Sequence, residues 1–212
     1  MDFVKDPAVI EKRSMDIVEK LVAPYRRRFT PEEYFVLRRV IHATGDPALV
    51  DELVFHNRPV GAGVAALRRG ATIVCDVGMV AAGIRARLAG RNTVRVSTDE
   101  PAVADAAARR GVTRALAGMH RLGDALAGSV VAIGNSPTAL FGLLELAAAG
   151  VRPALVVGVP VGFVGAREAK DALLATDLPA VVLRGTRGGS AVAAAVVNAL
   201  AILAFQPHPG AG

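Results

Sequence analysis

The sequence predicts an α/β fold: a three-layer αβα arrangement with a mostly parallel five-stranded sheet, helices on both faces, and N-terminal helices preceding it. Three observations predict it. From about residue 72 onward, short apolar runs of strand length alternate with segments of helical periodicity, as a parallel sheet buried on both faces requires. Strand exits are marked by glycine or a small polar residue. Hydrophobic residues make up 52% of the 212-residue chain, enough to bury a large core without disulfide or metal staples. No repeat, low-complexity tract or linker divides the chain, so residues 1–212 read as one domain, with 206–212 expected to be a disordered tail.

The N-terminal part is helical. Asp6-Pro7 is a helix start, and Val9, Ile10, Ile17, Val18 and Leu21 follow at helical spacing down to Pro24. Ser14 lies on the same apolar face, where its hydroxyl either bonds back to its own helix or meets a polar ligand. Thr30-Pro31-Glu32-Glu33 reads as a capping box, which predicts a helix to about Ala43, stopped by Gly45. His42 falls in the last turn of that helix. The carbonyl end of a helix favours an imidazolium, whereas desolvation beside Val40 and Ile41 opposes it. Pattern alone leaves His42 open between a capping or core residue and a chemical one, and says less for His56, His120 and His208.

Short helices are expected around residues 47–54 and 60–69, followed by strands at 72–75, 92–96, 129–133, 154–159 and 181–184. Helices at 79–88, 101–110, 113–127, 137–149, 166–175 and 190–205 separate or follow them. The stretch V-V-A-I-G-N-S-P-T-A-L-F-G-L-L-E-L, beginning at Val130, shows the unit most plainly. A buried strand enters, Gly134-Asn135 turns, and a helix restarts with Ser136 as N-cap and Pro137 at its first position. Such a turn is expected to expose free backbone N–H groups to an anion or polar ligand. In an open sheet, ligands gather at the strands' carboxyl ends. The other exits there begin at Asp76, Pro160 and Gly185.

Composition narrows the function. The formal charge of +6 and pI near 10.2 come mostly from scattered arginines, with no dense basic tract, no Trp and 4% aromatic residues. That is poor material for stacking bases, so nucleic acid is not expected as a partner. A polycarboxylate ligand and a plain compositional bias both remain compatible with the charge. The lone Cys75 excludes an intrachain disulfide framework and a cysteine-rich zinc site, fits a reducing cytoplasm, and is expected in the core. No signal-peptide core is present, and the longest apolar run, 191–205, is broken by Asn198, so neither secretion nor a membrane partner is expected.

Nucleotide binding finds little support. There is no P-loop, no G-x-G-x-x-G after the first strand, and only Asp99 or Glu100 in the place of a ribose-binding acid. A nucleophile elbow and an H-x-x-x-H metal pair are also lacking.

The motifs V-I-H-A-T-G-D, I-V-C-D-V-G-M-V-A-A-G-I, T-R-A-L-A, V-V-A-I-G-N-S-P-T-A-L-F-G-L-L-E-L, P-V-G-F-V-G-A-R-E-A-K and R-G-G-S-A-V-A-A-A-V-V-N-A-L-A resemble the precorrin-8X methylmutase family. The likeness runs from Asp6 to Ala201. It implies a cofactor-free, metal-free isomerase of cobalamin biosynthesis that moves a methyl group from ring carbon 11 to carbon 12 of a corrin precursor. The product would be hydrogenobyrinic acid, or cobyrinic acid from cobalt-precorrin-8. The resemblance assigns His42 as the catalytic proton donor to ring C, and Ser14 and Arg114 as substrate-binding. Arg13, Arg85, Met79, Asn135 and Thr138 are further candidates from their positions at loops and strand exits.

The family is homodimeric, with its product tightly held near the subunit interface. Two departures stand out: Ser136 where the family usually has alanine, expected to improve the helix cap, and Ala169 where it usually has serine. A non-catalytic corrinoid carrier is the alternative of another class, and nothing in the sequence separates cobalt-free from cobalt-containing substrate.

Overall fold

The computed structural model describes residues 3–206. The expected tail beyond Gln206, and with it His208, lies outside the described residues.

A sheet in the strand order β1-β6-β5-β4-β2-β3 forms the middle layer. Its strands are β1 (Leu53–His56), β2 (Ile73–Cys75), β3 (Val94–Val96), β4 (Val130–Ile133), β5 (Leu155–Gly158) and β6 (Ala180–Leu183). All neighbours pair in parallel except β1 and β6, which are antiparallel, with Leu53 opposite Leu183. Period-two alternation splits the strands between two cores. Ile73, Cys75, Val130, Ala132, Val157 and Val181 face one, and Val74, Val131, Ile133, Val156 and Val182 the other. Cys75 is core, as expected.

The first core is covered by α2 (Pro31–Thr44), α3 (Pro59–Arg68), α4 (Gly78–Leu88) and α9 (Ser190–Phe205), with α1 (Pro7–Val22) outside α2. The second is covered by α6 (Arg114–Leu122), α7 (Pro137–Ala148) and α8 (Ala166–Leu174), with α5 (Val103–Arg110) against α6. α9 is buried almost all round, which its alanines permit. Where α4 crosses it, a Cβ on Gly83 would stand 2.8 Å from the Ala194 Cβ, so only glycine allows that approach.

Local chemistry sets the helix ends. Asp6 accepts the Ala8 and Val9 N–H groups at 2.8 and 3.3 Å to start α1. The capping box of α2 is complete, Thr30 accepting from the Glu33 N–H at 3.2 Å and Glu33 from the Thr30 N–H at 2.9 Å. Gly45, left-handed at φ 66°, closes α2 by donating to the Ile41 carbonyl at 2.8 Å.

Three expectations are corrected. Among the described residues the sheet has six strands, because the segment 47–54 is a 3-10 turn, Pro47–Asp51, followed by β1. The predicted helix at 113–127 stops at Leu122, where Gly123 takes φ 47° and a 3-10 turn follows. The apolar face of α1 is not all core: Val18 and Val22 are buried, while Ile10, Ile17 and Leu21 are exposed. Among the described residues, no helix is long and apolar enough to cross a membrane.

Candidate active site

The strand order reverses between β2 and β4: β3 lies beyond β2, while β5 and β6 continue beyond β4. The helices that leave them, α4 and α7, go to opposite faces, which opens a crevice between two strand exits. The protein fills that crevice with its own carboxylate. Asp76, fully buried at the exit of β2, accepts the N–H of Gly134 at 3.1 Å on one oxygen, and those of Asn135 and Ser136 at 2.7 Å on the other. Burial pushes its carboxyl up from the usual carboxylate range, and these backbone bonds pull against that rise.

This corrects the expectation of free N–H groups at the Gly134 turn. No phosphate cradle is left there. Glu100, one of the two residues in the place of a ribose-binding acid, is paired with Arg95 at 2.7 Å.

What projects from the turn is a row of hydroxyls. Ser136 occupies the N-cap position of α7, yet its hydroxyl does not cap the helix and instead pairs with Thr138 at 2.8 Å. Thr138 pairs in turn with Thr113 at 2.6 Å, and Thr113 caps α6 by accepting the Leu116 N–H at 3.2 Å. The next residue, Arg114, is exposed and donates to the Thr98 carbonyl at 3.3 Å. Asn135 and Met79 are exposed on the two exits that meet at Asp76, Met79 at 74%. The structure therefore gathers Asn135, Thr138, Arg114 and Met79 around one end of the sheet edge, a rim of polar groups and a cation able to hold carboxylates.

His42 reaches the same edge from another side. The Arg187 guanidinium, on the loop after β6, donates to Asp46 at 2.8 Å, which places the end of α2 beside that strand exit. His42 is exposed there. The other described histidines are engaged structurally: His56 Nε2 donates to the Thr176 carbonyl at 2.8 Å, and His120 lies between Arg110 at 2.9 Å and Glu145 at 2.6 Å.

α1 lies antiparallel to α2, since Arg39 reaches Glu11 at 3.1 Å while Tyr34 reaches Glu19 at 3.1 Å. Half-buried Ser14 thus belongs to the part of α1 nearest the His42 end of α2, and Arg13 beside it is exposed. Arg85 is exposed two turns down α4, away from the exit itself. Ala169 is fully buried in the second core, so the hydroxyl missing there is no rim contact. Sequence reasoning overlooked the roles of Asp76, Thr113 and Arg187. An acid directly following a three-residue apolar run was the available signal for Asp76, because a charge at that depth needs donors close by.

A separate cavity of about 680 Å³ lies at the start of α2, lined among others by Thr30, Glu33, Arg58, Val64, Arg68 and Leu203. It is a helix length away from His42 and receives none of the rim residues.

Among the described residues, fold and candidate site together define an α/β protein whose carboxyl sheet edge bears one exposed histidine, an arginine and a row of hydroxyls. Comparison with known proteins makes this particular. The sequence model of the precorrin-8X methylmutase family matches residues 9–203. The chain is 43% identical to a precorrin-8X methylmutase of Sinorhizobium sp over 204 residues, covering 94% of this chain and 96% of that protein. It is 51% identical over 167 residues to the one of Pseudomonas aeruginosa, covering 77% and 80%.

A cobalt-precorrin-8 methylmutase of Methanocaldococcus jannaschii is 38% identical over 201 residues, covering 92% and 93%. The crystal structure of precorrin-8X methylmutase from Thermus thermophilus superposes with a TM-score of 0.84 at 39% identity, covering 92% of this chain and 96% of that one. The chain belongs to the precorrin-8X methylmutase family. It is a methylmutase of cobalamin biosynthesis, an isomerase that transfers a methyl group within one molecule.

Proposed function

We propose that the chain converts precorrin-8X to hydrogenobyrinic acid, or cobalt-precorrin-8 to cobyrinic acid, by moving the methyl group from ring carbon 11 to carbon 12. His42 lends a proton to ring C, the protonated conjugated system becomes electron-poor, the methyl group migrates, and the proton is given back. The reaction balances as an isomerisation with no added reactant. Histidine suits this step because its proton is exchangeable near neutral pH, and general acid assistance contributes roughly 10²- to 10⁴-fold.

The observation that carries this reading is the position of His42: exposed at the carboxyl edge of the sheet, on the same edge as the Asn135–Thr138–Arg114 rim. Arg114, and with it the exposed Arg13 on α1 and Arg85 on α4, supplies positive charge for the acetate and propionate edge of the macrocycle. Ser14, Asn135 and Thr138 supply hydrogen bonds, and Met79 an apolar contact. The net charge of +6 fits such a polycarboxylate.

The exposed apolar residues of α1, together with Phe163 at 94% and Val164 at 89% exposure after β5, support a homodimer that shelters the ring near its interface. One domain, residues 1–212, working in the cytoplasm, completes the proposal.

His42→Ala tests it: conversion of precorrin-8X, followed by absorbance, is expected to stop while substrate still binds. Unchanged turnover would refute the assigned acid, and loss of binding as well would make the histidine a ligand contact only. Light scattering that returned a monomer mass would overturn the dimer.

A further inference from the structure

Lys170 heads the fully buried side chains by size among the described residues, and the proposed chemistry does not use it. Its ammonium donates to the carbonyls of Gly185 at 2.8 Å and Arg187 at 2.6 Å, and among the described residues no carboxylate lies within ion-pair distance. A buried cation whose hydrogen bonds go only to carbonyls is an expensive way to fill a core, since an apolar side chain of similar volume avoids the desolvation. Its value therefore lies in what it holds.

It holds a glycine-rich loop from beneath. Gly185, Gly188 and Gly189 all take positive φ values, 76°, 156° and 126°. The backbone at Gly188 approaches the exit of β5 so closely that a Cβ would stand 2.2 Å from the Val159 carbonyl oxygen. The Gly189 N–H donates to that same carbonyl at 2.9 Å, and the Thr186 carbonyl accepts from Gly162 at 3.0 Å. With Lys170 fixing its backbone, the loop directs the Arg187 side chain outward to Asp46 at 2.8 Å and Glu52 at 3.5 Å. From Asp46 the path is short. Its N–H donates to the Thr44 hydroxyl at 3.3 Å, and Thr44 donates to the Val40 carbonyl at 3.0 Å, inside the turn that carries His42.

We propose that Lys170 and Arg187 are positioning residues: the buried ammonium sets the loop after β6, and the guanidinium sets the last turn of α2, so that His42 meets the ring at a fixed height. The catalytic part of this rests on His42 being the acid. The Arg187–Asp46 pair is partly exposed, so its removal should hardly change stability. Its effect should appear in kcat, because a displacement of about 1 Å at a reacting group costs up to roughly 10²-fold.

The test compares Lys170→Met, Arg187→Met and Arg187→Lys in the full chain. Turnover of precorrin-8X is measured beside the imidazole resonances of carbon-13-labelled histidine, with His42 assigned through His42→Ala. Arg187→Met is expected to shift or broaden the His42 resonance, leave His56 and His120 unmoved, and lower kcat about 10-fold with little change in KM. Arg187→Lys should restore part of kcat. If Lys170→Met does not fold, Arg187→Met still decides. An unmoved His42 resonance with unchanged kcat overturns the proposal. A moved resonance with unchanged kcat upholds the positioning and overturns His42 as the acid.

Discussion

The Asp76 carboxylate accepts the backbone N–H of Ser136 at 2.7 Å across the point where the strand order reverses. An anion has thus been built into the place where many open α/β sheets bind one from outside. Its oxygens also accept from Gly134 and Asn135, so the turn that presents the rim is fixed from below.

Asp76→Asn tests this arrangement nearly isosterically. An amide can only donate from its nitrogen. Facing Oδ1's partner, that NH₂ opposes one buried N–H; facing Oδ2's partners, it opposes two. Each unsatisfied group costs about 1–3 kcal/mol. Urea unfolding should show a loss of that size, and KM should rise more than kcat falls, since the ring's seat moves and the acid does not. Unchanged stability would mean that the turn needs no anion.

Arg114 is expected to govern affinity. Arg114→Ala should raise KM by roughly 10- to 100-fold, the worth of one or two charge-assisted hydrogen bonds. Arg114→Lys keeps the charge but loses the planar fork, and should recover only part. Steady-state kinetics at two salt concentrations checks both the size and its screening. A kcat defect with normal KM would place Arg114 in the chemistry instead.

Gly118 lets α6 lie against the Ser97–Asp99 turn, because a Cβ there would stand 2.3 Å from the Ser97 carbonyl oxygen. Gly118→Ala forces backbone apart and should cost about 1–3 kcal/mol net, more than offsetting the roughly 1 kcal/mol that alanine gains from helix propensity at an open site. The same shift loosens the Arg114 contact to the Thr98 carbonyl. Thermal unfolding and KM should both respond; a more stable variant would show that the helix can move freely.

Much of this fold was legible because the parallel strands other than β3, which carries Arg95, are short, wholly apolar and separated by segments of helical period, and because α1 and α2 begin at explicit caps. Thr30 to Glu33 and Gly45 predicted their contacts as they occur. β1 was not legible: four residues of Leu-Val-Phe-His carry no period that distinguishes a strand from a helix end, and its pairing with β6 is made over a long sequence separation. The candidate site divides in the same way. His42 could be found as a helix-end residue with an ambiguous charge, and Ser136 as an N-cap by type. That Ser136 spends its hydroxyl on Thr138, and that Asp76 consumes the N–H groups beneath it, depends on the β2–β4 pairing, which local sequence does not contain.

Stability in mild alkali should reflect two buried groups that pull in opposite directions. Burial lowers the Lys170 ammonium to about 8, with Glu52 and Asp171 acting against that fall and the Arg187 backbone solvating the charge. Unfolded, the lysine titrates near 10.4. Between these values the unfolded chain holds a proton that the folded chain has released, so stability rises with pH across that window, and the cost of the buried charge is felt in full below it.

Cys75 works the other way. Burial, reinforced by Asp76, raises its thiol to about 12 while Arg85 opposes the rise, so above roughly pH 8.5 the unfolded chain loses a proton that the folded chain keeps, and stability falls. Tyr34, raised by burial and by Glu19, adds to the fall only above about pH 10. Urea unfolding at intervals from pH 7.5 to 10 should therefore give a nearly level profile for the parent chain. Lys170→Met should decline with pH over the upper part of that range, and Cys75→Ala should rise. Parallel profiles for all three proteins would show that neither group changes its proton affinity on folding.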